Sequence, residues 1–172
     1  MDAKTICPVC GNLNTEIRTG QSYQFKESGL DDVYLLNVDI SHCPACKVDM
    51  VAIPDPTQLL RCLGELIVLS PSLLTGPEIR FLRKNLHTKI NDFAKLLGVD
   101  RVTLSRWENK QAKITKSNDR LIRLTYVIKS TVSDEVRDEV RKRLEQDDTK
   151  KHKPYSLKFP LDRFACATPA MA

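Results

Sequence analysis

No stretch of the 172 residues is apolar for long enough to cross a bilayer, and the opening MDAKTICPVC lacks the charged-then-apolar layout of a signal peptide. These two absences predict a cytoplasmic protein. The chain also lacks a glycine-rich phosphate loop and a nucleophile paired with a base, so it is not expected to be an enzyme. Its length suits two small domains, not two large ones. Charge is present but unevenly spread. The net charge of +5 conceals an acidic front, with five Lys/Arg against nine Asp/Glu over residues 1–73. Residues 74–130 hold thirteen against five, and the remainder nine against eight. A basic middle suggests a polyanion partner, and an acidic front suits a basic one. Solvated helix faces explain scattered charge, but they explain a bias this concentrated less well.

The basic middle contains the most organised stretch, Thr75 to Asn109. Thr75 followed by Glu78 is a capping box, with Pro77 in the first turn, where a missing N–H is harmless. Ile79, Leu82 and Leu86 then recur at helical spacing, with Arg80, Arg83 and Lys84 between them. Thr88 can cap a second helix with Phe93, Ala94 and Leu97 as its buried stripe. Gly98 suits the left-handed residue that ends it. Asp100 caps a third helix, from which Leu104 and Trp107 point inward. Two helices joined by a tight glycine-containing turn make a helix-turn-helix. With Leu104 and Trp107 inside, Arg101, Val102, Ser105 and Arg106 occupy the outer face of the third helix, the part that enters a major groove. A guanidinium there can fork onto guanine or grip a phosphate.

The run GVDRVTLSRWEN resembles the recognition region of the lambda-repressor-like (XRE) helix-turn-helix class. That resemblance places Arg101, Val102 and Arg106 where the family reads bases. The family's Gln near the start of the second helix is Ile90 here, so its phosphate contact passes to Thr88 or Lys89. Lys110 and Lys113 are further candidate phosphate contacts.

The front carries a metal-ligand pattern. Cys7-Pro8-Val9-Cys10 and Cys43-Pro44-Ala45-Cys46 are two C-P-x-C turns. Two intervening residues let both thiolates of a turn reach one ion, and two such turns close a tetrahedron of sulfurs around one structural Zn2+. The rival readings are disulfides or a redox C-x-x-C, and paired turns in a cytoplasmic chain favour zinc. Four cysteines leave no open position for a catalytic water. His42 reads as a surface residue, Cys62 as helix core and Cys166 as a thiol of the tail.

Between the cysteine pairs, Tyr23-Gln24-Phe25 and Val33 to Ile40 read as strands around a turn at Glu27-Ser28-Gly29-Leu30, and Met50 to Ile53 as a final strand. This unit is either a scaffold or, through its tips or the acidic pair Asp31-Asp32, a partner surface. Thr57 to Leu69 is an amphipathic helix closed by Ser70-Pro71-Ser72. A fourth helix of the basic region starts at Ser117, with Leu121, Leu124 and Ile128 as its apolar stripe. A fifth opens at Ser133, with Val136, Val140 and Leu144 as a narrow seam suited to its own domain or a second subunit. The expected fold is α+β: a β-rich zinc-ribbon-like domain over 1–55, a linking helix over 56–73, an all-α helix-turn-helix domain over 74–146 and a flexible tail over 147–172.

The combination of CPxCG…CPxC, a linking helix and SRWEN resembles the MqsA-type antitoxins with a YgiT-type zinc finger, over about residues 4–130. That resemblance implies a homodimeric repressor of a palindromic operator whose zinc unit also holds a small basic RNase toxin. The alternatives are a stand-alone zinc-stabilised transcriptional regulator and a protein-interaction adaptor.

Overall fold

A computed structural model describes residues 6–13, 15–53, 55–145 and 153–158. Among these residues four strands and six α-helices form: β1 (Glu16–Gln24), β2 (Val33–His42), β3 (Asp49–Val51), α1 (Pro56–Leu69), α2 (Gly76–Asn85), α3 (Ile90–Leu96), α4 (Arg101–Glu108), α5 (Lys116–Lys129), α6 (Asp134–Glu145) and β4 (Tyr155–Lys158). The α+β expectation holds, with a β-rich front followed by a helical bundle. No helix among the described residues is long and apolar enough to cross a membrane.

β1 and β2 form an antiparallel hairpin running from Glu16 opposite His42 to Gln24 opposite Tyr34. The register shifts between Arg18 and Tyr23, where Gly20 and Asn37 both adopt positive φ. β3 pairs with the His42 end of β2, and β4 pairs in parallel with its Val33 end. The two ends of the hairpin are therefore held differently. At one end lie the cysteine turns and an almost wholly exposed β1. At the other, Phe25, Leu30, Val33 and Leu35 join a single hydrophobic cluster with Leu59, Leu63, Leu82, Leu104 and Tyr126 of the helices. The run ESGLDDVYL, which no motif covers, is this anchoring end.

β4 lies in the stretch that reads as tail. Tyr155 and Leu157 alternate onto the buried side, and the Tyr155 hydroxyl meets the Glu78 carboxylate of α2. A four-residue strand in a Lys- and Pro-rich stretch has little local signal, because its partner β2 is distant in sequence. Cys166 and the rest of the tail lie outside the described residues, as does the side chain of Leu144.

α1 packs on α2, α5 and α6. It buries Leu59, Cys62, Leu63, Leu66 and Ile67 as its spacing predicts. Val136 and Val140 of α6 are buried within the same chain. The expected stripe on α5 is not the buried one: Ile122, Tyr126 and Val127 face the core, whereas Leu121 and Ile128 are exposed, Ile128 to 77%. The rotation follows from Arg123 and Asp119, which are buried on the inward face. Thr115, not Ser117, caps this helix by accepting from the Asn118 N–H.

At Gly64 the Tyr126 side chain of α5 packs directly on the backbone of α1. A Cβ there would lie 2.0 Å from the Tyr126 hydroxyl, which donates to Asn85 Oδ1 at 3.0 Å. Alanine normally improves a helix over glycine by about 1 kcal/mol. Gly64→Ala should nevertheless lower stability, by about 1–3 kcal/mol, because the fully buried ring cannot retreat. A urea midpoint above that of the parent would refute this packing.

Candidate nucleic-acid interface and metal centre

α2, α3 and α4 take the helix-turn-helix arrangement. Glu78 accepts from both the Thr75 N–H at 2.6 Å and the Thr75 hydroxyl at 2.7 Å, so the predicted capping box is present. Phe93, Ala94 and Leu97 are buried from α3. Lys89, not Thr88, occupies the N-cap position of α3, and the Thr88 hydroxyl donates to the Leu86 carbonyl. Gly98, at φ 63°, turns the chain into α4 while the Val99 N–H bonds back to the Ala94 carbonyl. Asp100 is the N-cap residue of α4 by position, without a side-chain cap hydrogen bond.

Leu104 and Trp107 are buried, at 0% and 6% exposure. That orientation leaves Arg101, Val102 and Arg106 exposed on the opposite side, with Val102 at 58%. The exposed Val102 offers an apolar contact beside two forked donors. Ser105 is half-buried, and its hydroxyl accepts from Asn109 Nδ2 at 3.3 Å. Lys89, Lys110 and Lys113 are exposed and Thr88 is half-buried. Lys110 lies 3.9 Å from Asp31, a loose surface pair that costs little to open.

The far end of α4 is held from beneath. Glu108 is 4% exposed, and its carboxylate receives Arg83 of α2 bidentately, at 2.6 and 2.9 Å. Arg83 also donates to the Thr88 carbonyl at 3.1 Å, so one guanidinium ties α2, the α2–α3 turn and α4 together. Gly76 lets the start of α2 approach this end: a Cβ would sit 2.4 Å from the Trp107 carbonyl. In the sequence Arg80 and Arg83 stand out only as basic residues between Ile79, Leu82 and Leu86, and the clamp is not visible there. The i, i+3 spacing of two arginines on one helix and a Glu directly after the buried Trp were the available signals.

At the free end of the hairpin the four cysteines converge. All four Sγ atoms lie within 4.8 Å of one another. Cys7 Sγ and Cys46 Sγ are 3.7 Å apart, and Cys10 Sγ and Cys43 Sγ 3.5 Å. Tetrahedral zinc with bonds of about 2.3 Å separates its sulfurs by about 3.8 Å, whereas a disulfide needs about 2.05 Å. The set therefore has the geometry of a structural Zn2+ site. The two turns have the same build. Gly11 and Lys47 each follow the second cysteine at positive φ, and their N–H groups bond to the carbonyls of Cys7 and Cys43. The backbone N–H of Cys46, aided by that of Ala45, pulls the Cys43 thiol down to about 6, toward the thiolate form that a metal requires. His42 stays outside the set, with Nδ1 2.6 Å from Asp49 Oδ1.

Fold and surface together define a class: a helix-turn-helix protein with an N-terminal four-cysteine, zinc-type module. Residues 79–124 match the family model described as Helix-turn-helix. The chain is 30% identical over 86 residues to "Uncharacterized HTH-type transcriptional regulator YiaG" of Escherichia coli strain K12, and equally to the proteins of that description in strains O6:H1 and O157:H7. The match covers 50% of this chain and 82% of each relative. The chain belongs to the family of helix-turn-helix transcriptional regulators. Regulators of this family are not catalysts. No solved structure matches the chain.

Proposed function

We propose that this protein is a stand-alone, zinc-stabilised transcriptional regulator that binds a palindromic site on double-stranded DNA as a homodimer. Arg101, Val102, Ser105 and Arg106 read base edges from α4, and Thr88, Lys89, Lys110 and Lys113 hold phosphates on either side. Cys7, Cys10, Cys43 and Cys46 bind one structural Zn2+. In this reading residues 1–55, joined by β4 (Tyr155–Lys158), form the zinc unit, 56–73 the linking helix and 74–146 the DNA-binding unit. The observation that carries the proposal is the burial of Leu104 and Trp107, which turns Arg101 and Arg106 outward from a rigidly clamped helix. Selection of duplexes from a random library with the purified zinc-loaded protein should recover an inverted repeat. Recovery of no sequence above background would contradict the reading.

The dimer has a candidate face in the outward stripe of α5, where Leu121 and Ile128 are exposed and Leu124 is half-buried. Ile128→Asp should leave the fold intact and shift the protein to monomer in analytical ultracentrifugation, weakening binding to an inverted repeat more than to a half-site. An unchanged sedimentation coefficient would remove this face from the account.

A second reading, the antitoxin, has its own support. Ile6, Val9, Leu13 and Ile17 are all at least half exposed around the cysteine turns of an acidic front. A small basic RNase fits such a surface. Co-expression with the product of a neighbouring short reading frame, followed by purification of a stable complex, would favour it over the stand-alone regulator.

A further inference from the structure

Between the anchoring end of the hairpin and the helices lies a cavity of about 740 Å³, within the usual range for small-molecule sites. It is lined by Glu27, Ser28 and Gly29 on one side and by the end of α2 and parts of α1 and α5 on the others. Three cations line it, Arg61 from α1, Lys84 from α2 and Lys129 from α5, and all three are exposed. Among the described residues no hydrogen bond or ion pair is made by the side chain of any of the three. Arg61 does act electrostatically on Glu65, a buried carboxyl that burial pushes upward. The single acidic lining residue, Glu27, is already engaged by the Tyr23 hydroxyl.

The wall behind these cations is fixed. Asn85 donates to the Leu60 carbonyl at 3.3 Å while its Oδ1 receives the Tyr126 hydroxyl. Burial pushes the Tyr126 phenol up beyond any physiological range, so that hydroxyl remains a neutral donor. Phe81 and Leu60 add apolar surface, and Ser130 and Thr131 add hydroxyls. Two lysines without an ion-pair partner and an arginine that acts on Glu65, set around a rigid polar and apolar wall, suit a small molecule that carries several negative charges on an organic body.

We infer that this cavity binds a small organic anion with at least two negative charges, such as a sugar phosphate or a polycarboxylate, through Lys84, Lys129 and Arg61. The cavity also reaches the DNA-binding unit. His87 and Thr88, the α2–α3 turn, line it, and Arg83 bridges the Thr88 carbonyl to Glu108 of α4. A bound anion would set negative charge beside Thr88 and Lys89 and so oppose DNA phosphates. That coupling rests on the DNA-binding reading, whereas occupancy of the cavity does not.

The test is calorimetric titration of the zinc-loaded full-length protein with ribose 5-phosphate, citrate and inorganic phosphate, with ribose as the neutral control. Ribose 5-phosphate or citrate should saturate one site per chain, and ribose should give no binding. Lys84→Gln with Lys129→Gln should weaken that binding about tenfold or more through loss of two charge-assisted contacts, and Lys129→Arg should retain it. Circular dichroism melts of the variants should match the parent, since both lysines are exposed. Saturable binding that survives in the double variant overturns the assignment, as does the absence of saturation by every anion. Loss of affinity for a random-sequence duplex in the double variant, with no anion saturating, assigns the cations to the nucleic-acid backbone instead. None of these outcomes requires the operator to be known.

Discussion

Arg123→Met should destabilise the protein by about 3–5 kcal/mol, a large part of the stability of a domain this size. Arg123 is 7% exposed and spends its guanidinium entirely within the chain. Nη1 donates to the carbonyls of Ile67, Val68 and Ser70 at 2.8–2.9 Å, and Nη2 donates to that of Ser72 at 2.6 Å. The end of α1 and the turn after it expose carbonyls that the helix cannot pair fully, with Ile67 receiving only the Ser70 N–H from the backbone, so this side chain serves as their cap. Nε pairs with Asp119 Oδ2 at 2.8 Å, and Asp119 Oδ1 accepts the Leu74 N–H at 2.7 Å. The network therefore locks the α1–α2 connection onto α5. Methionine fills the volume but leaves a buried carboxylate and several carbonyls unsatisfied. Adding Asp119→Leu should recover only part of the loss, because the Leu74 N–H then lacks its acceptor. Urea titration of the two single variants and the double variant measures this coupling, and additive effects would show that Arg123 and Asp119 act independently, contradicting the network.

Removal of zinc should have a large but local effect. Structural zinc contributes on the order of 10 kcal/mol to folding isolated zinc-finger peptides. Here the hairpin has a second support, since Phe25, Val33 and Leu35 at its far end pack into the helical core together with Tyr155 and Leu157. A strong chelator should therefore free the turn amides of Gly11 and Lys47 for hydrogen exchange while amides in α1 and α2 stay protected. Coordination needs all four sulfurs as thiolates, so protons compete with the ion for the site. Without the ion the four neighbouring thiols shift apart: Cys43 is lowered from the ordinary value of 9.0 to about 6, whereas Cys10 and Cys46 are raised, Cys46 to about 12. The Cys43 contribution is present above the ordinary value and lost as pH falls through about 6, and the raised thiols favour protonation in the same direction. Metal release, followed with a colorimetric chelator, should accordingly grow as the solution is acidified. Zinc retained at pH 4, or α2 amides exchanging together with the turns, would contradict the arrangement.

How much of this was legible depends on whether the signal is local. Thr75 with Glu78, Gly98, and Leu104 with Trp107 are defined by spacings of a few residues, and the helix-turn-helix could be read from them. The C-P-x-C turns were equally legible, because coordination demands short spacing within each pair and two pairs per ion. Arg123 could not be read this way, because four of its partners are backbone carbonyls of residues 67–72, which have no side-chain signature. The α5 stripe was misread for the same reason. Leu121, Leu124 and Ile128 are the more apolar set, but a buried ion pair decided which face turned inward. The Arg83–Glu108 clamp and the pairing of β4 with β2 are likewise contacts between residues far apart in sequence, outside any periodicity argument.

The central claim is that α4 presents Arg101 and Arg106 to base edges. The most direct measurement is fluorescence anisotropy at fixed salt, comparing the selected operator with a scrambled duplex for the parent, Arg101→Ala and Arg106→Ala. Each arginine that forks onto a base should cost about 1–3 kcal/mol on the operator and far less on the scrambled duplex, so that the specificity ratio collapses while the melting temperature is unchanged. An unchanged ratio in both variants, with both still folded, would contradict the account.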